Sequence, residues 1–457
     1  MRISELIDVR VGLLGLGVEG RSTLAALRRA GHAREVSVYL DKAPSDGEPL
    51  PEGTRFADDP EQELARTDVL VRSPGFAPAH PLRRLADARH VRQATATNLF
   101  LSELRARGLA SIGVTGSKGK STTSTVIFRA LERANLPSSL VGNIGAPALD
   151  VLDDVIARRA VPVIELSSYQ CADLCAAPSI AVLLELFPEH MDWHGGVDAY
   201  YRAKMELALR QQPADRFFYL AANRDYVARF ALPGAAEPVG TEAGVHFRDG
   251  WFWRGTERLF SDAAVTIPGA HNKQNICCAI AAVTAAGAPA ASVEAALVGF
   301  TGLPYRLQDE GLHRGIRWVN DSISTAPEAA VAALRAFPST HTLIFGGLDR
   351  GYELGIMRAA LAESSVECVI ALPTTGHRLA RELAAAGAPV RVVEVTSLAE
   401  AVTSASELAP PGSLCLFSPG APSYGFFRNF EDRGRQFTAL VAALERSDSA
   451  AASARAR

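Results

Sequence analysis

The run Ile112-Gly113-Val114-Thr115-Gly116-Ser117-Lys118-Gly119-Lys120-Ser121-Thr122 constrains this chain more than any other stretch. A short apolar strand meets a glycine-rich turn, and a helical pattern begins at Gly-Lys-Ser. The glycines let successive backbone N–H groups converge on a phosphate, and the helix N-terminus adds partial positive charge. Lys120 reaches the terminal phosphates, and Ser121 sits where a hydroxyl ligates Mg²⁺. The phosphate-binding set is Thr115, Gly116, Ser117, Lys118, Gly119, Lys120, Ser121 and Thr122. Val114 occupies the first-glycine position of a strict Walker A loop, and the plain alternative is an ordinary strand-to-helix turn.

Lysine usage sharpens the reading. Lys and Arg total 47, yet only Lys42, Lys118, Lys120, Lys204 and Lys273 are lysines. A lysine kept where arginine carries the surface charge points to amine chemistry or a point charge that guanidinium cannot replace. Two of the five lie in the phosphate loop, which singles out Lys204 before any motif is consulted.

Three α/β segments follow one another. The first reads strand Val11–Leu14, turn Gly15-Leu16-Gly17-Val18-Glu19-Gly20, helix to Ala30, then strand Val36–Leu40 ending in Asp41. This is a dinucleotide fingerprint in outline, with an acid placed for a ribose hydroxyl, although GxGxxG alone also occurs in turns that bind nothing. Strand Val69–Val71 leads into Ser73-Pro74-Gly75. In the second segment, strand Pro162–Ile164 ends at Glu165, strand Ile180–Phe187 ends at His190, and a hairpin turns at Asp249-Gly250. The third offers strands Ile316–Val319, Thr342–Phe345, Cys368–Leu372, Val390–Val395 and Ser413–Phe417, with a helix over Ala326–Ala336. The tail from Ser447 is small and polar and reads as disordered.

A net charge of −3 gives no basic footprint for nucleic acid or an anionic membrane. No apolar run reaches transmembrane length, and no signal segment opens the chain. The six cysteines form no CxxC pair, which fits a reduced cytoplasm.

Ligands of open α/β sheets gather at strand carboxyl ends, where Glu165 and His190 fall. Glu165 is an isolated acid on an apolar strand, a costly position unless it serves a cation. His190 is a candidate second metal ligand. His190, Asp192 and His194 as a metallohydrolase cluster is the competing reading, and a turn-capping histidine is another. Asn272 and Asn275 open a helix and are placed either to read an adenine edge or to cap. Arg306 is placed to grip a γ-phosphate, and Asp321 offers an acid for a ribose or a domain clasp.

Taken in order, these motifs identify a family. Thr115–Ser121, Gly142-Asn143-Ile144-Gly145, Glu165-Leu166-Ser167-Ser168, Tyr201-Arg202-Ala203-Lys204, Gly269-x-His271-Asn272-x-x-Asn275, Asn320-Asp321-Ser322, Gly346–Gly351 and Ser418-Pro419…Phe430-Glu431-x-Arg433-Gly434 together resemble the Mur ligases of peptidoglycan synthesis. Ser73-Pro74-Gly75 and the C-terminal motif place the resemblance on the glutamate-adding, MurD-like branch, over residues 5–446. The resemblance implies an α/β protein of three domains. These are a UDP-sugar-binding Rossmann-like domain (1–103), a central ATP-binding P-loop-type parallel sheet with a small antiparallel addition (104–304), and a Rossmann-like amino-acid domain (305–446), before a disordered tail (447–457).

The same resemblance recasts Gly15, Leu16, Gly17, Val18 and Asp41, with Ser73, Gly75 and Asn143, as the UDP-sugar site. It assigns Mg²⁺ to Ser121, Glu165, His190 and a Lys204 carbamoylated by CO₂, and ATP to the phosphate loop with Asn272, Arg306 and Asp321. Lys120, Lys204, His190 and Arg306 are the implied catalytic residues, and Thr325, Arg350, Ser423 and Phe430 would hold glutamate. The implied reaction converts the L-alanyl carboxylate of UDP-MurNAc-L-Ala to an acyl phosphate, which the glutamate amine attacks. Domain closure is expected to bring Arg306 and Asp321 over the acyl phosphate. A cytoplasmic monomer is expected.

Departures gather on the amino-acid side. Ile323 stands where the branch commonly has lysine, Arg350 also replaces a usual lysine, and Gly425-Phe426 replaces Asp-Gln. A pocket that accepts a mirror-image amino acid must move its carboxylate partners. These changes match the variant that adds L-glutamate, with ordinary D-glutamate addition as the alternative. An L-product implies an epimerase later in the pathway. Folylpolyglutamate synthetase-like and non-catalytic nucleotide-binding readings are more distant.

Overall fold

Near-continuous apolar strands separated by helices fold into parallel sheets, because both faces of each sheet are covered. The structure, a computed structural model, describes residues 1–455 apart from 32, 41–49, 268, 350 and 424. It forms two compact units, one of residues 1–266 with 270–300 and one of residues 267–269 with 301–457.

The first unit holds two parallel sheets. One has the order Arg55–Phe56, Glu35–Tyr39, Arg10–Leu14, Val69–Arg72, Arg92–Thr95. Strand order reverses beside Arg10–Leu14, so the crevice beyond its carboxyl end is a switch point of the kind that admits ligands. The second sheet has the order Ala235–Val239, Arg216–Leu220, Ile180–Leu183, Ile112–Thr115, Val161–Glu165, Ser138–Gly142. The phosphate-loop strand lies in its interior, buried throughout. Helix Lys120–Arg133 buries Val126, Ile127, Ala130 and Leu131, and the chain leaves it before Pro137.

One hydrophobic core runs from the first sheet into the second, through Leu99, Phe100 and Leu104 to Ile164, Leu183 and Phe217. Helix Ala96–Ala106 therefore spans the 103/104 boundary expected from sequence. The predicted turn at Asp249-Gly250 is present, with φ +50° and +76°. It joins Val245–Arg248 to Trp251–Arg254, and Glu257–Ser261 completes a three-stranded antiparallel sheet.

The strand expected over Ile180–Phe187 stops at Leu183. The next residues turn to line the phosphate loop instead of pairing. Ser117 N donates to Glu185 O (2.8 Å), and Phe187 N donates to Ser117 Oγ (3.0 Å).

The second unit carries one sheet in the order Gln308–His313, Ile316–Asn320, Leu414–Phe417, Thr340–Phe345, Cys368–Ala371, Arg391–Glu394. Its first pair is antiparallel and the rest are parallel. The five strands expected there form. Polar Gln308–His313 was not expected, and it pairs at the sheet edge, where water satisfies its outer face. Helix Phe430–Arg455 runs through most of the stretch expected to be disordered. Its alanines carry the helical pattern onward, alanine being the strongest helix former.

Candidate active site

Chain geometry at the phosphate loop depends on two glycines. Gly116 has φ +150° and Gly119 φ +83°. A Cβ on Gly116 would meet Leu184 Cβ at 2.6 Å, and one on Gly119 would meet Asn275 Nδ2 at 2.3 Å. Lys120 folds back over the loop and donates to Gly116 O (3.0 Å) and Ser117 O (2.8 Å). Thr115 and Ser117 spend their hydroxyls inside the protein. Thr115 Oγ1 donates to Leu166 O (2.8 Å), and Ser117 Oγ donates to Phe187 O (2.8 Å) and meets Tyr200 Oη at 3.0 Å. Ser121 and Thr122 are buried in the first helical turn, and exposed Lys118 sets its ammonium 5.5 Å from the Phe187 ring centre.

Lys204, on helix Val197–Leu209, reaches the same carbonyl. It is 2% exposed, and its Nζ donates to Gly116 O at 2.9 Å. Burial, reinforced by the positive charge of Lys120, lowers its pKa to about 7. A large share of this amine is therefore neutral at physiological pH, with a lone pair available.

Glu165 ends its strand 1% exposed. Oε1 accepts from Asn143 Nδ2 (3.2 Å), whereas Oε2 is buried with no hydrogen-bond partner. An orphaned carboxylate oxygen is costly in a dry site and suits a hard, oxygen-seeking cation such as Mg²⁺. Asn143 is fixed by a second bond, its N donating to Glu165 O at 3.0 Å. His190 takes a left-handed backbone (φ +58°) and lays its ring between Tyr169 and Tyr200, at 5.1 and 6.2 Å between ring centres. His194 Nε2 pairs with Ser168 Oγ at 3.0 Å. Among the described residues no three His, Cys, Asp or Glu side chains are grouped to hold a metal, and the Asp192 side chain of the competing cluster lies outside the described residues.

At the first sheet's switch point, Gly15 has φ +93° and accepts from Ser73 Oγ at 3.3 Å. A Cβ on Gly20 would meet Gly15 O at 2.2 Å, so the helix start presses onto the turn. Leu16 is half-buried, Gly17 and Val18 are exposed, and Trp193 Nε1 donates to Gly75 O at 3.1 Å. Asp41 lies outside the described residues.

In the second unit, Arg306 is flanked by Tyr305 (φ +60°) and Leu307 (φ +47°), an unusual conformation for two bulky residues. Asp321 accepts from Leu307 N (3.2 Å) and from Ser418 Oγ (2.8 Å). Ser423 is buried, Thr325 is exposed, and Phe430 O accepts from Ser322 Oγ at 2.9 Å. Arg350 lies outside the described residues. Arg433, quoted in a motif but given no role from sequence, is 1% exposed. It donates to Ser322 Oγ, Ser322 O and Ala421 O at 3.1, 2.7 and 3.0 Å, and burial lowers its pKa to about 9. Arg433 and Ser423 line a cavity of about 460 Å³ with Gly346, Leu372, Phe426 and Phe427.

The motif resemblance assigns Asn272, not Asn275, to ATP. Asn275 is the one against Gly119, with its Nδ2 3.5 Å from Asn272 Oδ1. Tyr200, which braces Ser117, lies four residues before Lys204, just outside its motif, and carried no signal of its own.

A nucleotide-phosphate loop in one parallel sheet beside a Rossmann-like sheet defines the class, and comparison defines the family. Residues 114–283 match the Mur ligase middle domain. The chain is 38% identical to a UDP-N-acetylmuramoyl-L-alanine–L-glutamate ligase of Micromonospora sp., covering 96% of this chain and 98% of that one. It is 37% identical to proteins of the same name from Salinispora tropica and Xanthomonas campestris, over 96% of this chain and 99% and 97% of theirs. The chain belongs to the Mur ligase family. Among solved structures its fold is similar to MurC of Thermotoga maritima (TM-score 0.57, 15% identity, 97% of this chain and 100% of that one). It is also similar to MurF of the same organism in complex with ADP (0.56, 14%, 98% and 97%). Escherichia coli FolC with ADP covers only 76% of this chain and 92% of its own (0.55, 16%).

Proposed function

We propose that this chain is an ATP-dependent ligase that joins glutamate to UDP-N-acetylmuramoyl-L-alanine, releasing ADP and phosphate, in cytoplasmic peptidoglycan precursor synthesis. The observation that carries the reading is the meeting of Lys120 and Lys204 at Gly116 O in a P-loop-type turn. The full-length relatives that share the reaction's name support it.

The chemistry follows from a poor electrophile. A carboxylate resists attack by an amine until its oxygen becomes a leaving group, so ATP phosphorylates the L-alanyl carboxylate first. The glutamate amine then attacks the acyl phosphate, the C–N bond forms, and phosphate leaves with the C–O bonding pair. Lys120 turns its ammonium from the loop carbonyls to the terminal phosphates and offsets charge during transfer. Glu165, His190, Ser121 and Lys204 as its carbamate would hold Mg²⁺, which supplies positive charge against the phosphates when bound. Asn143 keeps Glu165 oriented. Asn272, Arg306 and Asp321 are assigned to ATP. Gly15, Leu16, Gly17, Val18, Ser73 and Gly75 are assigned to the UDP sugar, and Thr325, Ser423 and Phe430 to glutamate. The three-domain division and a monomeric state belong to the same reading.

L-Glutamate is the proposed enantiomer. Ile323 and Phe426 replace polar residues beside the amino-acid motifs, and the relatives' printed names specify L-glutamate. The test supplies ATP, Mg²⁺ and UDP-MurNAc-L-Ala with either enantiomer and reads phosphate and product mass. Product with L-glutamate and little with D-glutamate is expected. A strong D preference overturns the stereochemistry, and no product with either overturns the ligase.

A further inference from the structure

Of the run His190–His194, the proposed chemistry uses His190 alone. The rest forms a one-turn helix, Met191–His194, whose last two side chains bond to two different loops. Trp193 Nε1 donates to Gly75 O at 3.1 Å, in the turn that follows strand Val69–Arg72 of the first sheet. His194 Nε2 pairs with Ser168 Oγ at 3.0 Å, in the loop that leaves strand Val161–Glu165 of the second sheet. Adjacent residues thus grip the proposed sugar turn and the exit of the Glu165 strand. The Tyr169 ring backs both, stacked on Trp193 and His194 at 4.6 and 5.7 Å between ring centres. Arg72 ties the same two loops from below the turn, its guanidinium bonding to Ser73 O, Tyr169 O and the Asp173 carboxylate.

We propose that Trp193 and His194 are positioning residues, a clamp that fixes the sugar turn against the Glu165 strand and so sets the gap a nucleotide sugar spans. The inference rests on the proposed function and names the residues that put its two subsites in register. The frame behind the loops is one continuous hydrophobic core, so the loops are the adjustable part. Packing does not place Gly75, since an added Cβ there would meet nothing within 4 Å. The indole bond does, and its direction is fixed, because an indole N–H only donates and a carbonyl only accepts. A substrate held by its diphosphate at one end carries any displacement of that anchor to the carboxyl group at the other. A shift of about 1 Å at the reacting atoms is enough to cost about a hundredfold in rate.

The test compares Trp193→Phe, His194→Phe and the double variant in the full chain. Both substitutions keep an aromatic ring in the stack and remove only the nitrogen that bonds the loop. Phosphate release with saturating ATP, glutamate and UDP-MurNAc-L-Ala gives kcat, and calorimetric titration of UDP-MurNAc-L-Ala gives Kd. Each single variant should lower kcat about fivefold to tenfold. Kd for the sugar and KM for ATP should stay within about twofold, since each ligand still meets its own loop. Opening either jaw releases the clamp, so the double variant should lose no more than about twofold beyond the worse single one. Unchanged thermal unfolding confirms that the variants fold. Wild-type kcat in both single variants, a Kd that weakens as much as kcat falls, or losses that multiply in the double variant overturns the inference. A wild type inactive with all three substrates overturns the proposed function instead, and the inference falls with it.

Discussion

Lys120 and Lys204 donate to one oxygen, the carbonyl of Gly116, at 3.0 and 2.9 Å. Two full ammonium charges on one dipole in a buried site repel strongly, so the deeper amine gives up its proton more readily. A single carbonyl thus holds the loop lysine's charge and the unusual amine in register.

Lys204→Arg should lower phosphate release by about a hundredfold or more, because a guanidinium never exposes a lone pair to CO₂. Lys204→Ala should lose a similar factor and recover part of it with short-chain carboxylates. Full activity in Lys204→Arg excludes the carbamate.

Stability should show the same amine. Between about pH 7 and the ordinary lysine value of 10.5, Lys204 is protonated in the unfolded chain and largely neutral in the folded one. The unfolded state then binds more protons, so the wild type gains stability as pH rises through that window. Lys204→Met removes this term. In denaturant titrations it should be more stable than wild type at pH 7, and the gap should narrow by pH 9.5. A gap that widens contradicts the buried, depressed amine.

Glu165→Gln preserves shape and the Asn143 contact while removing charge. The Mg²⁺ concentration needed for half-maximal activity should rise about tenfold or more, as expected when a metal site loses its carboxylate. Unfolding temperature should change little. An unchanged Mg²⁺ requirement removes Glu165 from the metal site.

Gly119→Ala forces a Cβ to within 2.3 Å of Asn275 Nδ2 at a left-handed backbone position. It should cost about 1–3 kcal/mol of stability and weaken ATP binding. Removing the opposing side chain in Gly119→Ala/Asn275→Ala should restore part of the stability but not the glycine's conformational freedom. Additive losses in the double variant contradict a steric origin.

The phosphate loop, both glycine turns, the Asp249-Gly250 hairpin and five strands of the last sheet were legible because each is written in consecutive residues. Gly31, with φ +121°, closes the first helix where the sequence places the stop. What stayed hidden depends on distance along the chain. Glu19 meets Gln170, and Asn275 meets Gly119, only through tertiary packing. Leu184, Leu186 and Phe187 give their stretch the apolar look of a strand, yet Glu185 O and Phe187 N bond to Ser117. Gln308–His313 pairs despite polar residues, since an edge strand needs only one partner. Arg433 gave no sign of its burial, because arginine at the start of a helix usually faces water.

The central claim is that ATP activates the carboxyl group borne on the UDP sugar, and isotope transfer tests it most directly. UDP-MurNAc-L-Ala labelled with ¹⁸O in its terminal carboxylate is incubated with ATP, Mg²⁺, glutamate and the full chain, and the released phosphate is weighed by mass spectrometry. Passage through an acyl phosphate predicts one ¹⁸O atom in each phosphate released. Phosphate free of label would contradict the account.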